Sequence, residues 1–482
     1  MLLWYEIKSF MVKKRVMRYY LRITLYYFFI PLYNLFAYTL YKGGPMEQKN
    51  YIINLLNIQD KYLVLNKIEF INNSYFIYLS ESKIESISCP KCGGVDNRIN
   101  SYYNRTIKIN PIDGYPTFII LKQIRFICNY CNKSFNQPNE IVNSGCSISI
   151  KTKETILEES TYKQSFKDIS KRTNVSETTV SNEFKKNIHD YRCSLTRIIC
   201  IDEFKASTIA GKYALIIGDP ESGEILDILP SRLQDYIYHY FNTIDKSERL
   251  NVEYVVTDLF ESYRTICKNL FWNSIHIADR FHWIRLTTEA FNKTRISIMN
   301  NILKSKIKDP DKLRYAAIIK KYYRLLIANT YSKESWFFDQ QVNKNSNGFT
   351  TYQSVIEYCV NNDRELEEAY LLLQQLYKIA RFSSFETARK DLLEWCDKIE
   401  KSEFNLKEFK KTVLTYKSWI NEITNSFIID PMTHKRLSNG FIEGKNNFCK
   451  TIKRIGFGYS DFDVFRYKII NTNKKKKNNK QK

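Results

Sequence analysis

The sequence has no glycine-rich phosphate loop and no dinucleotide-binding fingerprint, so nucleotide hydrolysis is not implied. No small-residue cleavage site follows its apolar amino-terminal stretch, and its 11 cysteines are an odd number, which together argue against a secreted disulfide framework. Acidic residues are in deficit: 51 Asp and Glu face 74 Lys and Arg, for a formal net charge of +23. Two end segments inflate that figure, because residues 1–45 hold seven cations against Glu6 and Lys474–Lys482 holds six lysines. About +11 remains across residues 46–473, so the body of the chain is basic and nucleic acid is the leading partner class. At 482 residues the chain is long enough for several cores.

Residues 1–45 differ from the rest. The stretch YYLRITLYYFFIPLYNLFAYTLY (19–41) is aromatic and apolar after a basic lead, but Arg22, Pro31 and Asn34 interrupt it. Met46 then opens a segment that reads like a fresh globular start. The extension reads first as an upstream-start artefact or dispensable segment and second as membrane-associating.

Two CxxC pairs follow, Cys89-Pro-Lys-Cys92 and Cys128-Asn-Tyr-Cys131. Each tight turn lets two thiolates reach one tetrahedral Zn²⁺. The 35 residues between them exceed the usual ribbon spacing, and alternation in 103–110 and 117–127 predicts a β-hairpin between the knuckles. This defines a zinc-binding β module over 46–148. Residues 149–195 have helix-turn-helix patterning: a helix near 165–173, a turn at Asn174-Val175 and a second helix capped by Ser176. Its outward Ser176, Thr178, Thr179, Ser181, Asn182 and Lys185 suit base edges and phosphates.

From Arg197 the period changes to strands. RIICIDEFKAS, KYALIIGDP and EILDILP read as a meander, Arg232 to Ile244 as a helix, and VEYVVTDLF as a buried strand ending in Asp258. ESYRTICKNLF reads as a helix and SIHIADRFH as a strand ending at Asp279 and His282. This βββαβαβ order is that of an RNase H-like sheet, in which the first and fourth strands are neighbours and Asp202 and Asp258 meet at one end. Asp202 and Glu203 must point to opposite faces; periodicity leaves the phase open. Asp219, Asp227 and Glu261 are acidic competitors. Residues 285–435 are helical, with Leu366, Tyr370, Leu373, Tyr377 and Ala380 at core spacing. Trp272, Trp283, Trp336, Trp395 and Trp419 read as core rather than base-stacking residues. In SNGFIEGKNNFCKTIKRIGFGY (438–459), Ser438 and Asn439 are N-cap types, and Asn446, Asn447 and Lys450 follow Glu443 at i+3, i+4 and i+7, with Lys453 and Arg454 extending the stripe.

CPKCGG, CNYC, the helix-turn-helix, CIDEFKAS, VVTDLFESYR, ADRFH and SNGFIEGKNN, in that order, resemble the ISL-three family of insertion-sequence transposases of the DDE superfamily, over about residues 46–470. The resemblance implies a multi-domain α/β chain: an RNase H-like mixed sheet (196–284 and 436–470) interrupted by a large helical insertion (285–435), with a basic disordered tail at 471–482. It implies Asp202, Asp258 and Glu443 as catalytic carboxylates holding two Mg²⁺ or Mn²⁺ ions ~3.5–4 Å apart. Asp279 and His282 match a C/DxxH signature and, with Lys450 and Arg454, are expected around those ligands or against the DNA strand. The expected activity is cleavage at terminal inverted repeats and strand transfer into target DNA, by at least a dimer, in the bacterial cytoplasm and without a membrane partner. The alternative is a catalytically silent, transposase-derived DNA-binding regulator.

Overall fold

The computed structural model describes residues 60–478, apart from 189–191, 308 and 330–351. The readings of 1–45, of 19–41, of Trp336 and of 479–482 lie outside the described residues. Among the described residues no helix is long and apolar enough to cross a membrane. The architecture is mixed α/β, with two sheets and many helices, in two compact units: residues up to Glu159 with Phe166–Phe184, and Ser160–Ser165 with Lys185 onward.

In the first unit, β1 (Leu63–Ile71), β2 (Ser74–Glu81), β3 (Asn97–Ile112), β4 (Tyr115–Cys128) and β5 (Ser134–Asn136) form one sheet in the order β1-β2-β4-β3. β5 pairs with β4 at Arg125–Ile127, beyond the stretch taken by β2. Both hairpin turns use residues that tolerate left-handed backbone: Asn72-Asn73 (φ 50 and 56) and Asp113-Gly114 (φ 52 and 82). β3 and β4 are the hairpin expected between the two CxxC pairs. Leu65, Ile77, Leu79, Ile107, Ile119 and Leu121 fill the core of this sheet. Three short helices follow, α1 (Ile150–Glu159), α2 (Phe166–Thr173) and α3 (Glu177–Lys186), with Ile156, Ile169, Val175 and Val180 as their core. Asn174, at φ 55, makes the turn between α2 and α3.

In the second unit, β6 (Ile198–Thr208), β7 (Gly211–Asp219), β8 (Glu224–Leu229), β9 (Tyr254–Thr257) and β10 (Ile275–Ala278) are ordered β10-β9-β6-β7-β8. The meander β6–β8 is antiparallel, while β9 and β10 run parallel to β6. The connecting helices are α4 (Gln234–Asn242), α5 (Lys246–Leu250) and α6 (Glu261–Leu270). Apolar residues leave β6 alternately: Ile199 and Ile201 join the core that includes Ile237 and Ile266, and Ile198 and Cys200 join the core on the other face, with Ile442 and Cys449. That parity assigns the next two residues, so Asp202 faces the side of 440–455 and Glu203 the side of α4 and α6.

The helical region comprises α7 (Arg280–Lys304), α8 (Pro310–Lys321), α9 (Tyr323–Leu326), α10 (Tyr352–Asn361), α11 (Arg364–Phe382), α12 (Phe385–Glu400), α13 (Lys407–Ser418) and α14 (Ile420–Asn425). Leu366, Tyr370, Leu373, Tyr377 and Ala380 are buried in one core with Trp283, Trp395 and Trp419, while Trp272 is exposed. The chain then returns to the sheet through α15 (Gly440–Ile455) and α16 (Phe462–Asn478). The expected disordered tail is therefore corrected: residues 471–478 continue α16.

An ion-pair hub ties the start of β6 to the segment ahead of α15. Arg197 holds Asp430 through two hydrogen bonds (2.7 and 3.1 Å), with Glu221 at 2.6 Å and Glu253 at 3.1 Å. Asp430 is fully buried, so removing its partner strands a charge. Arg197→Met is expected to cost about 3 kcal/mol in chemical denaturation. The guanidinium holds the Asp430 carboxyl well below its usual 3.8. The native state thus binds fewer protons there than the unfolded chain. The stabilisation is present above the unfolded value and is lost as the pH falls below it. Arg197→Met is expected to flatten that acid limb; an unchanged denaturation midpoint and acid limb would remove the hub from the stability of the fold.

Candidate active site and thiol cluster

Asp202 stands where β6 meets α15. Its Oδ1 accepts from the Glu203 amide at 2.7 Å and its Oδ2 from Asn446 Nδ2 at 2.8 Å. Burial, and then the charge of Asp258, push its carboxyl up to about 7. Glu203, on the other face, pairs with Arg232 and accepts from the Tyr263 hydroxyl at 2.7 Å. The remaining acidic competitors hold structure together. Asp219 accepts the amides of Glu221 and Ser222, Asp227 binds Tyr240 and Arg466, and Glu261 pairs with Arg264.

The parallel strands β9 and β10 deliver the next groups. Asp258 follows β9 directly, and Asp279 follows β10. The expected strand end at His282 is corrected, because Asp279 sits at the N-cap position of α7 and His282 lies in its first turn. This turn brings His282 Nε2 to 3.0 Å from Asp258 Oδ1. The two form an ion pair when His282 is protonated, and among the described residues no other donor reaches the buried Asp258 Oδ1. One ligand atom each from Asp258, Asp279 and His282 lies within 4.8 Å of the others. Burial raises the Asp279 carboxyl, against the opposing effect of the Asn439 amide. Burial would lower the His282 pKa, but Asp258, Asp279 and Asp202 outweigh it and raise it.

Helix α15 is amphipathic, with Ile442, Asn446, Cys449 and Ile452 buried. Glu443, Asn447, Lys450 and Arg454, at i, i+4, i+7 and i+11, are exposed. The expected common face thus divides: Asn446 turns inward to Asp202, while Asn447 and Lys450 stay with Glu443. Glu443 is not among the residues whose ligand atoms converge, and neither is Asp202. The capping role expected of Asn439 is also corrected. It occupies the N-cap position without a side-chain cap bond. Its amide donates to Asp279 Oδ1 at 2.8 Å and its Nδ2 to the Ile201 carbonyl at 3.1 Å. One residue therefore locks the start of α15 to both β6 and Asp279. An Asn at a core position of an amphipathic helix needs a buried partner, and that was the available signal for Asn446.

The four CxxC thiols form a second cluster. Cys89 Sγ is 3.6 Å from Cys131 Sγ, and Cys92 Sγ is 3.6 Å from Cys128 Sγ. All four lie within 4.8 Å of one another. The spacing is far beyond a ~2.05 Å disulfide. It matches the ~3.8 Å edge of a tetrahedron with ~2.3 Å Zn–S bonds. The knuckles repeat one backbone pattern: Gly93 N donates to Cys89 O and Asn132 N to Cys128 O, both at 2.9 Å. Gly93 (φ 75) and Asn132 (φ 55) supply the left-handed residue that this turn requires.

The residues expected to read DNA are placed unevenly. Thr178 and Asn182 are exposed on α3, and Ser181 is partly so. Ser176 Oγ accepts the Thr179 amide at 3.2 Å and bonds the Thr179 hydroxyl at 2.8 Å, so these two serve the helix cap. Lys185, in the second unit, pairs with Asp461 at 3.0 Å.

Two family models match the chain. One, the ISL-three DDE family described as "Transposase", covers residues 199–469. The other, described as the zinc-finger of transposase IS204/IS1001/IS1096/IS1165, covers residues 85–131 and, with the thiol cluster, supports a structural zinc ion. No curated protein matches the chain.

Proposed function

Since the chain belongs to the ISL-three family of insertion-sequence transposases, we propose that it binds the terminal inverted repeats of such an element and catalyses divalent-metal-dependent strand cleavage and strand transfer. The observation that carries this reading is the meeting of Asp258, Asp279 and His282 at the ends of neighbouring parallel strands, with Asp202 on the adjoining strand in electrostatic contact with Asp258. The pairing of β6 with β9, first strand beside fourth, supports an RNase H-like reading of the second sheet. The α2–turn–α3 pair supports a helix-turn-helix, with Thr178, Ser181 and Asn182 left to contact DNA.

Asp258 Oδ1 is a buried carboxylate oxygen that, among the described residues, has only His282 Nε2 beside it as a potential donor, the kind of hard ligand that Mg²⁺ or Mn²⁺ takes. Asp202 and Asp258 would hold the metal from adjacent strands. Glu443 would complete the set; what supports it is its place one turn ahead of Asn446, which touches Asp202. When bound, two such ions would activate water or a 3′-hydroxyl and stabilise the leaving oxygen. Asn446 and the Glu203 amide orient Asp202, and the His282 imidazole, 3.0 Å from Asp258, stands where it can donate to a strand phosphate. Lys450 and Arg454, exposed on the Glu443 face, supply charge for the DNA backbone. Two ends must be held at once, so the active species is proposed to be at least a dimer.

The test is to incubate the purified full chain with labelled terminal-repeat duplex and Mg²⁺ or Mn²⁺. Nicked DNA with a free 3′-hydroxyl, followed by joined product, is expected. Bound but uncut DNA would select the second reading, a silent regulator, which the exposure of Glu443 outside the cluster favours. Asn446→Ala is expected to reduce cleavage about 10- to 100-fold and to raise the Mg²⁺ concentration needed for half-maximal activity, with end binding unchanged. Parental cleavage at limiting Mg²⁺ would show that Asn446 does not position Asp202.

A further inference from the structure

Beside Asp279 the second unit contains a cavity of about 380 Å³ lined by Arg280, Arg381 and Arg436 together with Ile284, Tyr377 and Ala380. The three arginines come from distant points of the chain: the first residue of α7, the end of α11 and the segment before α15. The guanidinium carbons of Arg280 and Arg436 stand 5.3 and 5.2 Å from the centroid of the same Phe427 ring. Arg436 is fixed by the Ala380 and Ser383 carbonyls at 2.9 and 2.7 Å. Among the described residues, the guanidinium groups of Arg280 and Arg381 make no hydrogen bond or ion pair; Arg280 lies over the Trp283 and Phe427 rings and Arg381 over Phe382. Among the described residues no carboxylate lines the cavity. Asp279, whose charge reaches Arg280, has Oδ1 occupied by the Asn439 amide. Burial and the neighbouring Arg436 weaken the hold of Arg280 on its proton, to about 10, which still leaves it cationic at neutral pH.

Arg280 and Arg436, set against one ring, repel each other, and Arg381 lines the same wall; an anion would offset that repulsion, and a planar guanidinium matches a phosphate oxygen pair. The volume lies in the range of small-ligand sites. Ile284 and Ala380 give the wall an apolar part suited to a sugar. We propose that this cavity binds a backbone phosphate and its deoxyribose on the DNA strand beside the carboxylate–histidine group. The assignment rests on the transposase reading for the identity of the strand. Arg280 follows Asp279 directly, so a strand phosphate held here would lie next to the one presented to Asp258.

The experiment uses the full chain without divalent metal. Binding of a labelled terminal-repeat duplex is measured from 50 to 200 mM salt for the parent, Arg280→Gln and Arg381→Gln. Each variant is expected to bind about five- to tenfold more weakly and to lower the slope of log affinity against log salt by about one. Arg381 is exposed and carries no structural bond, so its variant stays informative if Arg280→Gln misfolds. Unchanged slopes would overturn the proposal. In a second arm inorganic phosphate is titrated and the thermal midpoint followed. Stabilisation that both variants lose, with unchanged DNA slopes, would assign the cavity to a free anion and overturn the strand assignment. A parent that binds no DNA would instead break the transposase reading. The phosphate arm then decides the cavity: stabilisation lost in the variants keeps it as a phosphate site, and no stabilisation of the parent removes it.

Discussion

Asp258→Asn is expected to lower strand cleavage and joining by at least about a thousandfold while leaving terminal-repeat binding within about twofold. Asparagine preserves volume and shape, so the packing around β9 should persist. What changes is charge. The Oδ1 of Asp258 is buried and faces Asp279 and His282, with His282 Nε2 3.0 Å away, so its charge is engaged with the neighbouring cluster rather than with the packing of the strand. A neutral amide there would remove a hard anionic ligand from between β6 and β10, and about 4 kcal/mol of lost transition-state stabilisation corresponds to the thousandfold effect. The assay follows labelled ends with Mg²⁺ and with Mn²⁺, beside a binding measurement on the same preparation. Parental cleavage by the variant would take Asp258 out of the chemistry; joint loss of cleavage and binding would make its role structural. His282 supplies an internal check. Its raised pKa depends on Asp258, so it should return towards the ordinary histidine value in the variant.

Much of the second sheet was legible because strand sequences record which faces are buried. YVVT is a short apolar run, as a parallel strand covered on both faces must be, IHIA is an apolar edge strand buried at its carboxyl end, and carboxylates just beyond these strand ends read directly as Asp258 and Asp279. The alternation at Asp202 and Glu203 was equally plain, but its phase was not. It is set by Asn446, 244 residues away, and by Arg232 and Tyr263 on the opposite face. Local pattern carries no information about such partners. The same reason hid the Arg197–Asp430 hub, whose members are 233 residues apart, and the three arginines of the cavity. Helical spacing placed Glu443, Asn446 and Asn447 on one stripe, yet a stripe is broad, and packing against β6 decided which amide turned inward. The start of α7 was read as the end of a strand because IHIA runs into ADRFH without glycine or proline, and only the N-cap position of Asp279 marks the change.

Cys89→Ser is expected to release the zinc supported by the thiol cluster and with it the order of both knuckles. The segment between β2 and β3 contains no strand; Ser82, Ile84 and Asp96 tie its two ends to neighbouring elements, while the knuckle between them is held by bonds such as Cys89 N to Gly94 O at 2.8 Å, Gly93 N to Cys89 O and Asn97 Nδ2 to the Gly94 carbonyl at 3.2 Å. Such local bonds do little to fix a knuckle against its conformational entropy. Binding a structural zinc contributes on the order of 10 kcal/mol in small sites, and that free energy is folding free energy. Serine places a harder, less acidic and shorter-reaching oxygen where a buried thiol stood, so the tetrahedron loses a corner. Metal analysis should give about one zinc per chain for the parent and well under a tenth for the variant. Proteolysis should open the chain near Lys91 and Lys133, and terminal-repeat binding should fall at least about tenfold. A chelator should reproduce all three effects in the parent. Because the neighbouring sheet has its own apolar core in Leu65, Ile77, Ile119 and Leu121, the loss should stop at the knuckles. Unchanged zinc content in the variant would refute the four-thiolate site. Loss of zinc without any loss of end binding would leave the site structural and remove it from DNA recognition.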